Sequence, residues 1–176
     1  MSLCVAAGAC SRPAPHPTAA RQPVAPVVAA PAAPSSAAPK PPRAPIPLPG
    51  RGTVEILGRS VPPTFQVEVA RTELERTQGL MYRRVLGKGK GMVFFMPGDS
   101  DWSFYMRNTR LPLAIIFIDS TWRVVGLVAN VPPMTLALRS VGAPSRYVLE
   151  LDAHEAARHG IRAGSLLRFA ASKTAP

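Results

Sequence analysis

The sequence predicts a mainly β fold of the β-rich α+β kind. It reads as a compact antiparallel barrel or sandwich with two short helices, behind a disordered Pro/Ala-rich segment. Three observations carry this. All 11 aromatic residues of the 176-residue chain lie beyond residue 52. That part alternates apolar and polar residues in short runs, which is the period of a strand. Residues 1–52 hold 13 of the 21 prolines, five basic residues and no acid. Such a segment cannot bury enough apolar surface to offset the entropy of ordering it. The chain therefore divides into a tail or linker, residues 1–52, and a single β-rich domain, residues 53–176. Of the net charge of +11, +5 falls on the tail and +6 on the domain.

Each element follows from local pattern. Residues 54–57 are β-prone. Phe65, Val67 and Val69 alternate with Gln66 and Glu68 and predict a half-buried strand. Thr72 with Glu75 three residues on is a capping box, so a short helix begins there with Leu74 toward the core, and Gly79 ends it. Residues 92–96 are a continuous apolar run, read as a buried strand stopped by Pro97-Gly98. Residues 103–106 read as a strand. Residues 115–118 and 123–128 flank Asp119-Ser120-Thr121-Trp122 and predict a hairpin. Tyr147, Leu149 and Leu151 alternate with Val148 and Glu150. Asp152 and Glu155 repeat the capping-box spacing ahead of a second helix that Gly160 ends. Residues 166–169 close the set. Strands in series without intervening long helices favour an antiparallel sheet over a doubly wound one.

The cysteines, Cys4 and Cys10, both precede the domain, so it can hold neither a disulfide framework nor a thiolate zinc site. Val5-Ala6-Ala7-Gly8-Ala9-Cys10 resembles the end of a bacterial lipoprotein signal. It departs from that pattern at Ala7, where a branched apolar residue is usual, and it lacks a basic leader and a full apolar stretch. On this reading Cys10 is the lipidation site, and the Pro/Ala-rich tract is a semi-rigid spacer that favours polyproline II. The expected address is the cell envelope or secretion, with the cytoplasm as the alternative. No apolar run is long enough for a transmembrane helix.

Signatures of known chemistry are sparse. His154 and His159 are five apart, about 140° around a helix, a poor chelating pair, and both read as solvated. No nucleophile motif or phosphate loop is present. Arg83, Arg84, Lys88 and Lys90 form the one local basic cluster, in a Gly-rich loop without stacking aromatics. Asp99, Asp101 and Asp119 read as turn residues that cap their own backbone. The densest stretch is Trp102-Ser103-Phe104-Tyr105-Met106-Arg107-Asn108-Thr109, and Asn130-Val131-Pro132-Pro133-Met134-Thr135 is similar in kind. Two Asn-containing, Pro-terminated segments can line one apolar cleft with a few polar groups.

Gly79-Leu80-Met81, Gly91-Met92-Val93-Phe94-Phe95, Phe104-Tyr105-Met106-Arg107-Asn108-Thr109 with Pro112-Leu113, Asn130-Val131-Pro132-Pro133 and Arg146-Tyr147-Val148-Leu149-Glu150-Leu151 occur in this order. In them the chain resembles the domain of unknown function 192 family, over residues 65–169. The resemblance implies a small β-rich prokaryotic domain, often behind a signal peptide, and brings no activity with it. Ala114 stands where that family usually has an acid, and Met134 where it often has a cysteine. A chemistry resting on those positions would be missing here.

The expected function is that of an envelope-associated or secreted binding or accessory domain. It would recognise a small polar ligand or glycan in a cleft near Asn108, with Met81, Met106, Arg107, Asn108, Thr109, Asn130 and Tyr147 as the candidate residues. It would use no metal and no cofactor. It would act as a monomer without nucleic acid, and meet a membrane only through a lipid on Cys10. Two alternatives are a hydrolase using Asp119 or Asp101 with Arg107, and a basic module holding nucleic acid or an anionic polymer through residues 83–90.

Overall fold

A computed structural model describes residues 50–172. Cys4, Cys10 and the Pro/Ala-rich tract up to residue 49 lie outside the described residues. The described residues form seven strands and two short helices: β1 (Gly50–Ile56), β2 (Thr64–Ala70), α1 (Glu73–Gln78), β3 (Lys90–Ser100), β4 (Leu113–Ile118), β5 (Val124–Val131), β6 (Ser145–Asp152), α2 (Glu155–Arg158) and β7 (Leu167–Ala171).

The strands make one sheet in the order β5-β4-β6-β3-β2-β1-β7. Every neighbouring pair is antiparallel except β2 and β3, which run parallel. The sheet is thus mixed. A parallel pair needs a crossover, and α1 with the loop behind it supplies one. The two end strands of the order come back together. Arg123 and Leu166 form a bridge, Val124 N donates to the Ser165 carbonyl and Leu167 N to the Trp122 carbonyl, each at 2.9 Å. The sheet is therefore a barrel rather than a sandwich.

All seven strands send alternate residues to one apolar interior, among them Val54, Phe65, Val67, Val93, Ile116, Val124, Leu149 and Leu167. The opposite faces of β3, β4 and β6 are also covered. Met92, Phe94, Leu113, Ile115, Phe117 and Val148 pack with Leu80, Met106 and Val131 in a second apolar cluster. Hence all six residues of β4 are buried. The cover consists of loops: residues 79–86, 101–112 and 131–142. Gly126 of β5 lets one of them approach, since a Cβ there would sit 2.8 Å from Val141 Cβ.

Several local expectations change. Leu74 is 63% exposed and does not face the core. The capping box is present, and it turns Glu75 and Gln78 inward instead; these are three apart on one helix face, and Leu74 lies off it. Strand β3 passes through Pro97 to Ser100, with its pairing to β6 shifted between Phe95 and Ser100. A bulge tolerates a residue with no N–H to give the ladder. Residues 103–106 are not a strand; Phe104 makes a lone bridge to Arg139 of the covering loop. Asp152 does not cap α2. His154 holds that position, and Asp152 accepts from His154 N at 3.2 Å. His159 is half-buried rather than solvated: its Nε2 lies 3.1 Å from Glu155 and its ring meets Phe65 edge-on at 5.2 Å.

Candidate functional site

The covering loops hold one another through backbone bonds. Tyr82 N donates to the Asn108 carbonyl (2.8 Å), Met134 N to the Thr109 carbonyl (3.0 Å) and Met106 N to the Thr135 carbonyl (2.8 Å). Tyr82, Asn108 and Met134 all have positive φ, at 63°, 54° and 61°. Non-glycine residues pay for that conformation in strain, and such residues gather at functional sites. The Asn108 amide also donates to the Tyr82 hydroxyl at 2.8 Å and lies 4.0 Å from the Met81 sulfur. Asn108 therefore positions the segment after α1 against residues 104–109.

Between these segments and the outer face of the barrel lies a groove of about 230 Å³. Gln78 and Met81 form one side, Phe104, Tyr105 and Thr109 the other, Phe94 and Met96 of β3 the base, and Arg76 the rim. Phe94 and Phe104 meet edge-on, 5.2 Å apart at 80°, a favoured aromatic arrangement. Arg76 Nη1 donates to the carbonyls of Arg71 and, at 3.2 Å, Phe95. A second polar group reaches the groove from below. Glu150 of β6 lines it, yet is only 5% exposed. Its cross-strand partners are Met92 and Ile115, both with no exposed surface. Desolvation pushes the Glu150 carboxyl up to about 8, because burial disfavours its charged form. No hydrogen bond offsets that desolvation; the buried side-chain atoms left without a partner among the described residues are Arg83 Nε and Ser145 Oγ, so the Glu150 oxygens open onto the groove.

Of the residues the sequence pointed to, Met81 and Thr109 line the groove, and Asn108 sits behind them. Met106 lies beneath in the apolar cluster. Arg107 and Asn130 are exposed, and Asn130 also has positive φ, at 51°. Tyr147 is elsewhere. It stacks on Trp122 at 4.2 Å, against the interior cluster on the other face of the sheet. Glu150 is not among the residues the sequence singles out, because on an alternating strand the face opposite Leu149 and Leu151 ordinarily meets solvent. Val148 on that same face was the available signal that both sides are covered.

The carboxylates of the hydrolase alternative are engaged in turns. Asp119 Oδ1 accepts from Thr121 N, Thr121 Oγ1 and Arg123 N at 2.8, 2.7 and 3.0 Å. Burial pushes the Asp119 carboxyl up, but these bonds and the nearby Arg123 charge outweigh that and hold it below the usual carboxylate value. Asp101 accepts from the Ser140 hydroxyl at 2.5 Å. In the basic loop, Arg83 is fixed on Glu68 by two bonds of 2.6 Å, and Arg84, Lys88 and Lys90 are exposed. Among the described residues no three His, Cys, Asp or Glu side chains gather as a metal site.

The fold and site define a class: a small mixed-sheet barrel whose covered outer face carries a ligand-sized groove. The model of the DUF192 family, described as "Uncharacterized ACR, COG1430", matches residues 54–169, and the chain belongs to that family. Solved structures similar to the chain include two that follow. One is a candidate transcription regulator of Sinorhizobium meliloti 1021, 32% identical with a TM-score of 0.65, covering 68% of this chain and 93% of that one. The other is a protein of unknown function from Novosphingobium aromaticivorans DSM 12444, 37% identical with a TM-score of 0.63, covering 66% and 83%. No curated protein matches the chain.

Proposed function

We propose that this DUF192 domain is an accessory binding module of the cell envelope that holds a small ligand in the groove in front of Asn108. The observation that supports this reading best is the pairing of apolar walls with three buried polar side chains, Gln78, Thr109 and Glu150, around one opening. Small-ligand sites have this form. The envelope address is supported by Cys10 behind its run of small residues and by the Pro/Ala-rich spacer.

Thermal unfolding of the full chain against wall fragments, sugars, amines and nucleotides tests the binding. A ligand at 100 times its Kd stabilises by about 2.7 kcal/mol, which is roughly 10 °C for a domain of this size. Ser103 is exposed at the groove, so Ser103→Trp blocks the mouth and should remove the shift. A shift that survives this variant places the ligand elsewhere. The address is tested separately, by labelling with radioactive fatty acid in a bacterial host. Labelled wild type and unlabelled Cys10→Ser are expected; an unlabelled wild type in the cytosolic fraction would overturn it.

A further inference from the structure

We infer that the groove selects organic ammonium ions, held with the cationic head between the Phe94 and Phe104 rings and the Glu150 carboxyl. The inference rests on the groove being a ligand site and names what it takes.

Three features point to a cation. Glu150 is the acid among the groove's lining residues; it is only 5% exposed, and its carboxyl opens onto the groove with no hydrogen bond to it. A carboxylate offers only acceptors, so the complement it lacks is a donor, and a positive one matches it best. The walls present aromatic rings and the thioethers of Met81 and Met96. Ring faces attract cations, and aromatic pockets are the usual receptors for alkylammonium groups; thioether sulfur is polarisable and adapts to such guests. Third, the right-angled Phe94–Phe104 pair fixes two walls of such a pocket. The groups facing Glu150 leave this open. Met92 and Phe94 from β3, Ile115 from β4, and Leu80 after α1 carry no charge. The titratable lining groups are Arg76 at the rim and the Tyr105 phenol, and Arg76 is turned onto the carbonyls of Arg71 and Phe95.

Binding is then coupled to a proton. In the empty groove Glu150 is largely protonated at pH 7, since burial raises it to about 8. An arriving ammonium favours the carboxylate, and the carboxyl proton leaves to solvent. Ammonium affinity should rise by up to about tenfold per pH unit toward pH 8 and flatten above it.

The test uses the full chain, with n-butylammonium chloride and 1-butanol as probes. NMR signals of residues 78–81 and 104–109 report binding. A pH-stat titration in dilute phosphate, free of amine buffers, reports the proton. The expected result is that both probes move these signals and that ammonium binds about tenfold tighter. It should release most of one proton at pH 7, and Glu150→Gln should bring it down to the level of the alcohol. Equal affinities with no proton release would overturn the inference and leave the groove as a binding site. Silence of these signals toward both probes would overturn the groove reading itself. Should Glu150→Gln not fold, the pH profile and proton count of the wild type decide the matter.

Discussion

The interior of the barrel and its covered outer face share β4, whose alternate residues serve one and then the other. Their construction differs. The interior draws on all seven strands, its buried members are apolar, and regular ladders surround it. The outer face is roofed by loops that carry Tyr82, Asn108 and Met134 at positive φ, and it holds a desolvated carboxyl that no hydrogen bond offsets. A protein can maintain such a face only where another part supplies the stability. The contrast suggests that the interior keeps the fold and the outer face holds the site.

The largest expected effect probes that division through Glu150. Its folded value of about 8 lies above its ordinary 4.5. The folded state thus holds a proton that the unfolded state releases, and stability is full below pH 4.5 and lost as pH rises through 8. The loss amounts to about 4–5 kcal/mol at 1.36 kcal/mol per unit. Urea titrations at pH 5 and pH 9 should show it in wild type, and Glu150→Gln should remove it. A pH-independent difference between the two proteins would mean that the outer face is as well satisfied as the interior.

Next is the interior itself. Leu149→Ala leaves a cavity among fully buried residues and should cost about 2–5 kcal/mol, measured by urea unfolding and accompanied by loss of the whole domain's exchange protection. Asn108→Ala should cost less, about 1–2 kcal/mol, from the Tyr82 bond and the positive φ. Its mark is local: amide exchange should quicken in residues 79–83 and 131–135 while the barrel strands stay protected. If exchange instead quickens uniformly, the two faces unfold as one. The smallest effect belongs to Arg83→Met, which removes a partly exposed pair with Glu68. It should cost under about 1 kcal/mol and fade in high salt.

These two regions were unequally legible in the sequence. Interior strands announce themselves, as at Phe65, Val67 and Val69, because a one-sided apolar pattern has one geometric solution. The capping box at Thr72 was equally plain. The outer face was not. Whether Glu150 meets water or a roof depends on where loops 40 to 70 residues away come to lie, and nothing local to β6 encodes that. Tyr147 shows the converse: an aromatic in a suggestive motif, placed by strand parity on the wrong side of the sheet for the groove. Asn108, expected as a ligand contact, instead bonds Tyr82 behind the groove and fixes its wall.

One feature of the topology bears on how the chain is made. Strand β1 lies between β2 and β7, and Glu55 holds Arg168 across 113 residues. At about 5–20 residues per second of synthesis, β1 waits about 6–23 s on the ribosome before its second neighbour exists. The closing bridge at Leu166 waits as long. The barrel therefore cannot shut before β7 has left the ribosome, and until then one edge of β1 and the apolar interior behind it stay open to whatever meets the nascent chain.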